Sequence, residues 1–284
     1  MLRRLATCVA IAALATLAAC GPRGAPRASP ATHPHRIVSL VPSMTEDVFA
    51  VGAGTDVVGV SVFTDYPPQA KHLPVVATYA SIATERIVAL HADLALGIVS
   101  QSRQAGDLRR AGIPVTLLHD DSFDDIFTDI RTVGVVTGHE REASALIASL
   151  RAHTARLLRT VPHREHTPSL FVVLGAAPVY TVGKRSYIAT LIGMAGARNA
   201  AGDIDAPYAR YSAEALVARQ PDALIVDPDV HLDAVLNRPP WNALRAVRRK
   251  HVYTLPDAAI LERPGPRYNE GLAWLIRTAA SASR

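Results

Sequence analysis

The sequence predicts an α/β protein made of two lobes with mostly parallel sheets, and three observations predict this fold. Strand-like and helical patterns alternate between residues 36 and 118, as they do when crossover helices connect parallel strands. The longest helical pattern of the chain follows at 138–161. The alternation then restarts at residue 169. The chain therefore divides into an N-terminal lobe (36–137), one long linking helix (138–161) and a C-terminal lobe (162–284).

Residues 1–19 have the pattern of a signal peptide. Arg3 and Arg4 precede an apolar run of about fifteen residues, which is short for a membrane-spanning helix. The run ends in Leu-Ala-Ala-Cys, which resembles the lipobox of bacterial lipoproteins. This resemblance implies that Cys20 is lipidated and anchors the protein to a membrane. An ordinary signal peptide followed by a chance cysteine is the alternative.

Residues 20–35 are rich in Pro, Gly, Ala and Ser, a composition that predicts a flexible tether. The chain has only two cysteines. Cys8 leaves with the signal peptide and Cys20 carries lipid, so no thiol remains for a disulfide or a thiolate metal site. The net charge is +5 and aromatic residues make up only 5%. The scattered basic residues show no signature of nucleic-acid binding.

The two lobes are predicted from individual strands and helices. In the N-terminal lobe, strands are expected at 36–40, 57–60, 94–96 and 115–118, and helices at 45–51, 85–90 and 104–111. In the C-terminal lobe, strands are expected at 169–174, 224–226 and 252–254, and helices at 187–195, 213–218 and 268–280.

One pattern occurs twice, at 84–94 and at 213–223. In each segment a Glu opens a short apolar helix, and an Asp follows eight residues later, just before a strand. Short helix–strand units often look alike, so chance is the alternative. A true repeat would place Glu85 and Glu214 at matching positions in the two lobes. From the residues alone, a Glu in the first helical turn is explained by its favourable interaction with the helix dipole.

Four segments resemble the family of ABC-importer receptors for corrinoids, ferric siderophores and haem. They are RIVSLVPSMTEDVFAVGAG (36–54), VVGVSVFTDYPPQA (57–70), ATERIVALHADLALG (83–97) and YSAEALVARQPDALIV (211–226). The resemblance extends over 36–280, and within the family the stretch 65–70 looks most like the cobalamin branch. It implies a class III periplasmic binding protein: two α/β lobes joined by one rigid helix, with the ligand held between them.

The resemblance gives the two glutamates a role beyond the helix dipole. In the family, a Glu at each of these positions docks onto arginines of the permease dimer. Carboxylates on two separate lobes suit bidentate, charge-assisted hydrogen bonds to arginine, and they fix the orientation of the complex. Glu85 and Glu214 are therefore expected to contact the permease, while Thr84 and Ser212 help to cap their helices.

The resemblance also implies a cleft lined by aromatic side chains with few charges. The residues expected to bind the ligand are Phe63, Tyr66, Tyr79, Tyr180 and Tyr208, and four of them (63, 79, 180 and 208) are placed in loops at the lobe edges. Ordinary packing of loop aromatics is the alternative. Two of these tyrosines, 79 and 208, stand where the cobalamin branch has tryptophan, which keeps the cleft aromatic but leaves the ligand open.

Two arginines of the segment 262–267 are also candidates. Arg263 and Arg267 match a late loop that faces the cleft in the family, where a guanidinium could hold a carboxylate or an amide of the ligand. A surface position without such a role is the alternative for each.

Rival functions lack their motifs. Gly183-Lys184-Arg185 has no Ser or Thr after the lysine, so it is not a phosphate loop, and no nucleophile elbow or zinc-protease helix occurs. A receptor for free metal ions would need converging His and carboxylate ligands. The sequence therefore predicts a monomeric binding protein on the periplasmic side of the envelope, with no catalytic residue, metal site or cofactor. The expected ligand is cobalamin or a related corrinoid, with a ferric siderophore or haem as the alternative.

Overall fold

The computed structural model describes residues 33–283 of the 284-residue chain. The expected signal peptide, the lipidated Cys20 and most of the tether lie outside the described residues. Within 33–283, no helix is both long enough and apolar enough to cross a membrane.

The N-terminal half contains a parallel sheet in which strands and helices alternate. Its elements are β1 (Ile37–Ser39), α1 (Pro42–Ala50), β2 (Val57–Ser61), β3 (Val75–Ala77), α2 (Thr84–Ala89), β4 (Leu94–Ile98), α3 (Ser102–Arg110) and β5 (Val115–Leu118). The strand order is β3-β2-β1-β4-β5, with every neighbouring pair parallel. The central strands β1 and β4 are buried along their whole length, which is why they read as continuous apolar runs.

A helical hairpin follows this sheet. It consists of α4 (Asp125–Thr137) and α5 (Glu140–Leu158). The helix expected at 138–161 is thus present as α5, whereas α4 was not predicted from its β-branched residues, which disfavour a helix. The two helices approach closely at Gly134, where an added Cβ atom would lie 2.4 Å from the Cβ of Ala143. Tertiary packing therefore stabilises α4 where local propensity does not.

The C-terminal half contains a second parallel sheet and a small antiparallel one. Its elements are β6 (Ser169–Val173), β7 (Gly175–Ala176), β8 (Val179–Val182), α6 (Tyr187–Met194), β9 (Arg198–Asn199), β10 (Tyr208–Arg210), α7 (Ala213–Arg219), β11 (Ala223–Val226), α8 (Arg245–Arg248), β12 (Val252–Thr254), α9 (Ala259–Glu262) and α10 (Tyr268–Ala282). The parallel sheet has the order β12-β11-β6-β9, and the antiparallel sheet has the order β10-β8-β7.

One apolar core extends across both halves, and α10 helps to join them. Tyr268, at the start of α10, is fully buried, and its hydroxyl lies 2.6 Å from Thr154 Oγ1 on α5. Its ring packs edge-on against Phe123 and Phe127, at centroid distances of 5.1 and 5.9 Å. Aromatic pairs of this geometry contribute about 0.5–1.5 kcal/mol beyond their burial. The two halves are thus connected by packing around α10 as well as by the linking helix.

Candidate functional site

A cleft of about 670 Å³ opens between the two halves. Loops that follow β1, β2 and β3 form one wall, and loops that follow β11 and β12 form the other. The carboxyl ends of parallel strands are the usual place for a ligand in α/β proteins, and the volume is in the range of small-molecule sites. The lining residues are Pro42, Phe63, Thr64, Asp65 and Tyr79 from the N-terminal half, and Asp227, Pro228, Asp229, Pro256, Asp257, Ala258, Ala259, Glu262 and Arg263 from the C-terminal half.

The N-terminal wall is aromatic. Phe63 is 66% exposed and Tyr79 is 74% exposed, and their ring centroids are 6.5 Å apart. Within residues 33–283, the exposed aromatic side chains are these two together with Tyr66, Tyr180 and Tyr208. They are the five aromatic residues that the sequence analysis expected to bind the ligand. Large apolar groups left in water at one place are typical of a binding surface.

The backbone of Phe63 has an unusual conformation. Its φ angle is +65°, in the left-handed region that a bulky residue rarely adopts. Such a conformation persists only when the surrounding contacts hold it, and it is common at ligand sites. Two contacts hold it: a turn closed by the Thr64 N–H donating to the Ser61 carbonyl oxygen at 3.3 Å, and Arg263 Nη2 of the opposite half donating to the Phe63 carbonyl oxygen at 2.9 Å.

Tyr180 and Tyr208 lie on strands, so their predicted placement in loops is wrong. They belong to β8 and β10, which pair in an antiparallel register that sets Tyr180 opposite Arg210 and Tyr208 opposite Val182. Directly opposite residues share one face of a sheet, so this face carries both tyrosines and Arg210. The pairing was missed because each strand is only three or four residues long.

Tyr208 lies close to acidic groups of both halves. Burial raises the pKa of its phenol, and the charges of Asp120, Glu262 and Asp121 raise it further, against the opposing hydrogen bond with Ser186.

Tyr180, Tyr208, Tyr66 and Arg267 do not line the cleft itself. Of the seven expected ligand-binding residues, the structure brings together Phe63, Tyr79 and Arg263 in that lining.

Arg263 and Arg267 both bind Glu46, a buried residue of α1 that the sequence analysis did not single out. Arg263 Nη1 lies 3.3 Å from Glu46 Oε1, and Arg267 Nε lies 3.1 Å from Glu46 Oε2. The Glu46 side chain is only 1% exposed. Burial raises the pKa of its carboxyl, although both guanidinium groups act to lower it. An acidic residue in a short helix is usually solvated, so nothing in the local sequence indicates this burial.

Each arginine has a second acidic partner. Arg263 Nη1 lies 2.5 Å from Asp65 Oδ1, and Arg267 Nη2 lies 3.1 Å from Asp257 Oδ2. Burial alone would raise the pKa of Asp65, but its hydrogen bond and charge interaction with Arg263 outweigh burial and lower it. Arg267 also covers the ring of Tyr66, with its guanidinium carbon 4.1 Å from the ring centroid, which is a cation–π contact.

The C-terminal wall is acidic, contrary to the expectation of few charges. Asp227, Asp229, Asp257 and Glu262 all line it. Burial, a hydrogen bond that the protonated carboxyl donates to Asp227, and the charges of Asp227 and Asp229 raise the pKa of Glu262 to about 8. At neutral pH, Glu262 therefore holds a proton. No motif marks these four residues, because two of them follow β11, one follows β12 and one ends α9, and only the fold brings them together.

Glu85 and Glu214 occupy equivalent positions. Each is exposed and is the second residue of its helix, α2 or α7. Six residues further on, His91 and Gln220 both adopt left-handed backbone conformations, with φ of 51° and 46°. The two segments thus share their backbone as well as their sequence pattern.

The aspartates of the two segments are equivalent as well. Asp93 accepts the backbone N–H of Arg36, and Asp222 accepts that of Ser169, at 3.0 and 2.9 Å. In each case the aspartate immediately precedes a strand, and that strand pairs with the strand at or before which the bound N–H lies.

Of the two predicted helix caps, one is present. The Ser212 hydroxyl accepts the backbone N–H of Ala215 at 3.1 Å and donates to Glu214 Oε2 at 2.6 Å. Thr84 is already inside α2, whose N-cap is Ala83 and has no side-chain hydrogen bond. The expected capping role of Thr84 is therefore wrong.

Among the described residues, no three His, Cys, Asp or Glu side chains are grouped so that they could hold a metal ion.

The sequence is similar to known proteins over both halves of the chain. Residues 37–259 match the model of the periplasmic binding protein family. An uncharacterized ABC transporter substrate-binding lipoprotein of Bacillus subtilis, YvrC, is 31% identical over 254 residues, which cover 86% of this chain and 80% of the relative. The vitamin B12-binding protein of Pectobacterium carotovorum is 32% identical over 197 residues, covering 68% of this chain and 71% of the relative.

A solved structure gives the same result for the fold. The periplasmic haem-binding protein RhuT from Roseiflexus sp. RS-1, in its apo form, superposes with a TM-score of 0.81 at 28% identity. The match covers 88% of this chain and 99% of that protein.

Proposed function

The chain belongs to the periplasmic binding protein family and is an ABC-type substrate-binding protein, and on this premise we propose that its ligand is cobalamin or a related corrinoid. The protein would capture this ligand in the cleft between its halves and deliver it to the permease of an importer. The relative named as a vitamin B12-binding protein supports this choice. The structure named as a haem-binding protein favours haem as the second candidate.

The observation that carries the proposal is an aromatic wall that faces an acidic wall in one cleft. Five carboxyl side chains line the cleft (Asp65, Asp227, Asp229, Asp257 and Glu262), against one arginine, Arg263. That arginine is already paired with Glu46 and Asp65. An anionic ligand entering this cleft would leave its own charge unpaired beside other carboxylates, which is costly.

Corrinoids meet these requirements better than haem or catecholate siderophores. The corrin periphery carries neutral carboxamides, whose N–H groups can donate to carboxylates, and the macrocycle is flat enough to lie on aromatic rings. Haem carries two propionates, and ferric catecholates are anionic. The exposed rings of Phe63 and Tyr79 are proposed to cover the macrocycle, while Asp227 and Asp229 accept hydrogen bonds from its amides.

Delivery is proposed to use Glu85 and Glu214. Both are exposed and lie at equivalent helix starts in the two halves, so two carboxylates can engage two arginine sites at once. The envelope location is proposed to depend on lipidated Cys20. The lipoprotein named among the relatives supports this assignment.

Calorimetric titration of the full chain in detergent tests the ligand. We expect one-to-one binding of cyanocobalamin. A monocarboxylate derivative, in which one peripheral amide is hydrolysed, should bind at least tenfold more weakly, because its charge faces the acidic wall. Haemin and a ferric catecholate should bind more weakly still.

A matched set of variants tests whether the acidic wall causes the preference for a neutral ligand. Asp227→Asn with Asp229→Asn should reduce the preference for the neutral ligand, whereas Asp107→Asn, an exposed aspartate of α3, should not. Tighter binding of haemin or of the iron chelate than of cyanocobalamin would overturn the corrinoid proposal and leave the family assignment intact.

A further inference from the structure

Arg263 and Arg267 come from the C-terminal half, yet several of their contacts are in the N-terminal half. Arg263 reaches Glu46, Asp65 and the carbonyl of Phe63. Arg267 reaches Glu46 and the face of Tyr66. These contacts connect residues about two hundred positions apart in the chain, and two of them end on the expected ligand-binding aromatics.

The nitrogen atoms of both guanidinium groups already donate hydrogen bonds to other groups of the protein. Nη1 of Arg263 serves Glu46 and Asp65, and its Nη2 serves the Phe63 carbonyl. In Arg267, Nε serves Glu46, while both Nη atoms serve Asp257. The side chains are only 17% and 12% exposed. A ligand carboxylate would have to displace several charge-assisted hydrogen bonds to bind either arginine.

The Arg263 contact adds to the local turn that holds Phe63. A phenylalanine in the left-handed region is strained by roughly 1–3 kcal/mol, and its ring is left 66% exposed, so side-chain packing does little to fix it. The guanidinium of Arg263 binds the carbonyl of this residue and the carboxylate of Asp65 two residues later. A planar fork with fixed donor directions can hold both groups, which the single ammonium of a lysine cannot reproduce.

We propose that Arg263 and Arg267 are positioning residues: Arg263 holds Phe63 of the cleft lining in the orientation that meets the ligand, and Arg267 holds Tyr66, which follows the lining residue Asp65 in the chain. Glu46 is the buried counter-charge that aligns the two guanidinium groups. The inference rests on the proposed function in one respect only, namely that the cleft binds a ligand through these rings. Aromatic residues of one half, Phe63 and Tyr66, are thus held by a pair of side chains from the other half.

A double-mutant cycle separates positioning from direct binding. Arg263→Gln and Phe63→Ala should each weaken cyanocobalamin binding about tenfold in calorimetry of the full chain. If Arg263 acts through the ring, the double variant should bind no more weakly than Phe63→Ala alone. The pair Arg267→Gln and Tyr66→Ala should behave in the same way with smaller effects, and Arg263→Lys should not restore affinity.

The control is Arg219→Gln, which breaks an exposed ion pair with Asp203 (2.9 Å) and should leave affinity unchanged. Additive losses in the cycle would mean that Arg263 contacts the ligand directly, and would overturn the inference. A lowered melting temperature with unchanged affinity would mean a merely structural role, and would overturn it as well.

A ligand-free measurement keeps the inference testable if the proposed function fails. The rings of Phe63 and Tyr79 are close enough in the wild type, at 6.5 Å between centroids, to give nuclear Overhauser effects between their protons. These should disappear in Arg263→Gln and persist in Arg219→Gln. If no ligand of the panel binds, the corrinoid proposal fails by itself, and persistence of the ring contact in Arg263→Gln would still overturn the positioning role.

Discussion

The helix–strand unit at 84–94 and its counterpart at 213–223 have the same backbone but different supporting side chains. Both have a left-handed residue after the helix and an aspartate that binds the neighbouring strand. The first unit has no side-chain cap, whereas Ser212 caps the second. Both units have an exposed glutamate at the second position of the helix. Neither backbone conformation requires a glutamate there. The contrast indicates that the fold maintains the position of each glutamate, while the supporting contacts are free to differ.

The buried acids of the two halves differ as well. Burial alone would raise the pKa of Asp222, but hydrogen bonds from the Ser169 N–H and hydroxyl and from His166, together with the charge of Arg245, outweigh burial and lower it. Asp129 on α4 has the opposite environment. Burial, followed by the charges of Asp125 and Asp120, raises its pKa to about 8. Hydrogen bonds and a positive charge thus compensate the burial of Asp222, whereas burial near other acids raises the pKa of Asp129.

The largest expected effect tests the equivalence of the two glutamates. Glu85→Ala with Glu214→Ala should weaken binding to the permease in membranes about a hundredfold, because each lost charge-assisted hydrogen bond costs roughly 1.5–3 kcal/mol. Each single variant should cause about a tenfold loss, and ligand affinity should not change. Glu140→Ala, at the exposed first turn of α5, is the matched control. A loss confined to one of the two glutamates would break the equivalence, and unchanged binding would remove the docking role.

The next effect concerns Asp129, a buried acid of the N-terminal half. Asp129→Asn should raise the free energy of unfolding by about 2 kcal/mol at pH 8 and by much less at pH 4, measured by denaturant unfolding. The sign follows from the raised pKa: the folded state holds a proton that the unfolded state releases above its ordinary pKa near 4. The free energy of unfolding therefore falls as the pH rises from about 4 to about 8. The amide side chain of the variant does not titrate, so the variant avoids this fall. Glu165→Gln, a surface substitution, should show no such slope, and an equal effect of Asp129→Asn at both pH values would contradict the assignment.

The smallest effect compares the two helix starts directly. Ser212→Ala should lower the free energy of unfolding by about 1 kcal/mol, since it removes an N-cap hydrogen bond. Thr84→Ala should change it by less than about 0.5 kcal/mol, because Thr84 does not cap α2. Thermal or urea unfolding of both variants measures the difference. Equal losses would show that the two units are supported alike.

The succession of strands and helices was predictable because it depends on local periodicity. The strands at 57–61, 94–98 and 115–118 and the helices at 187–194 and 268–282 lie within a few residues of their predicted positions. The helix α4 and the antiparallel sheet of β7, β8 and β10 were not predicted. The former depends on packing against α5 at Gly134, and the latter has strands of two to four residues, too short for a periodic signal.

The exposed aromatic side chains were singled out for a different reason, and their role in binding stays a prediction. Phe63, Tyr66, Tyr79, Tyr180 and Tyr208 were singled out through a family resemblance, and all five are exposed in the structure. Asp227, Asp229, Asp257 and Glu262 were not singled out, because acidic loop residues are common and each one is unremarkable alone. Their convergence on one wall follows from the carboxyl ends of β11 and β12 meeting at one edge of the sheet.

The sequence by itself determined the α/β alternation, the family resemblance and the matched positions of Glu85 and Glu214, because these depend on neighbours a few residues away. Only the tertiary structure decided the partners of Arg263 and Arg267. A guanidinium in a late loop can bind either a ligand or the protein, and its partners Glu46 and Phe63 lie about two hundred residues earlier in the chain. Burial of Glu46 at 1% exposure requires that both arginines remain with it, since an unpaired carboxylate in the interior would be strongly destabilising.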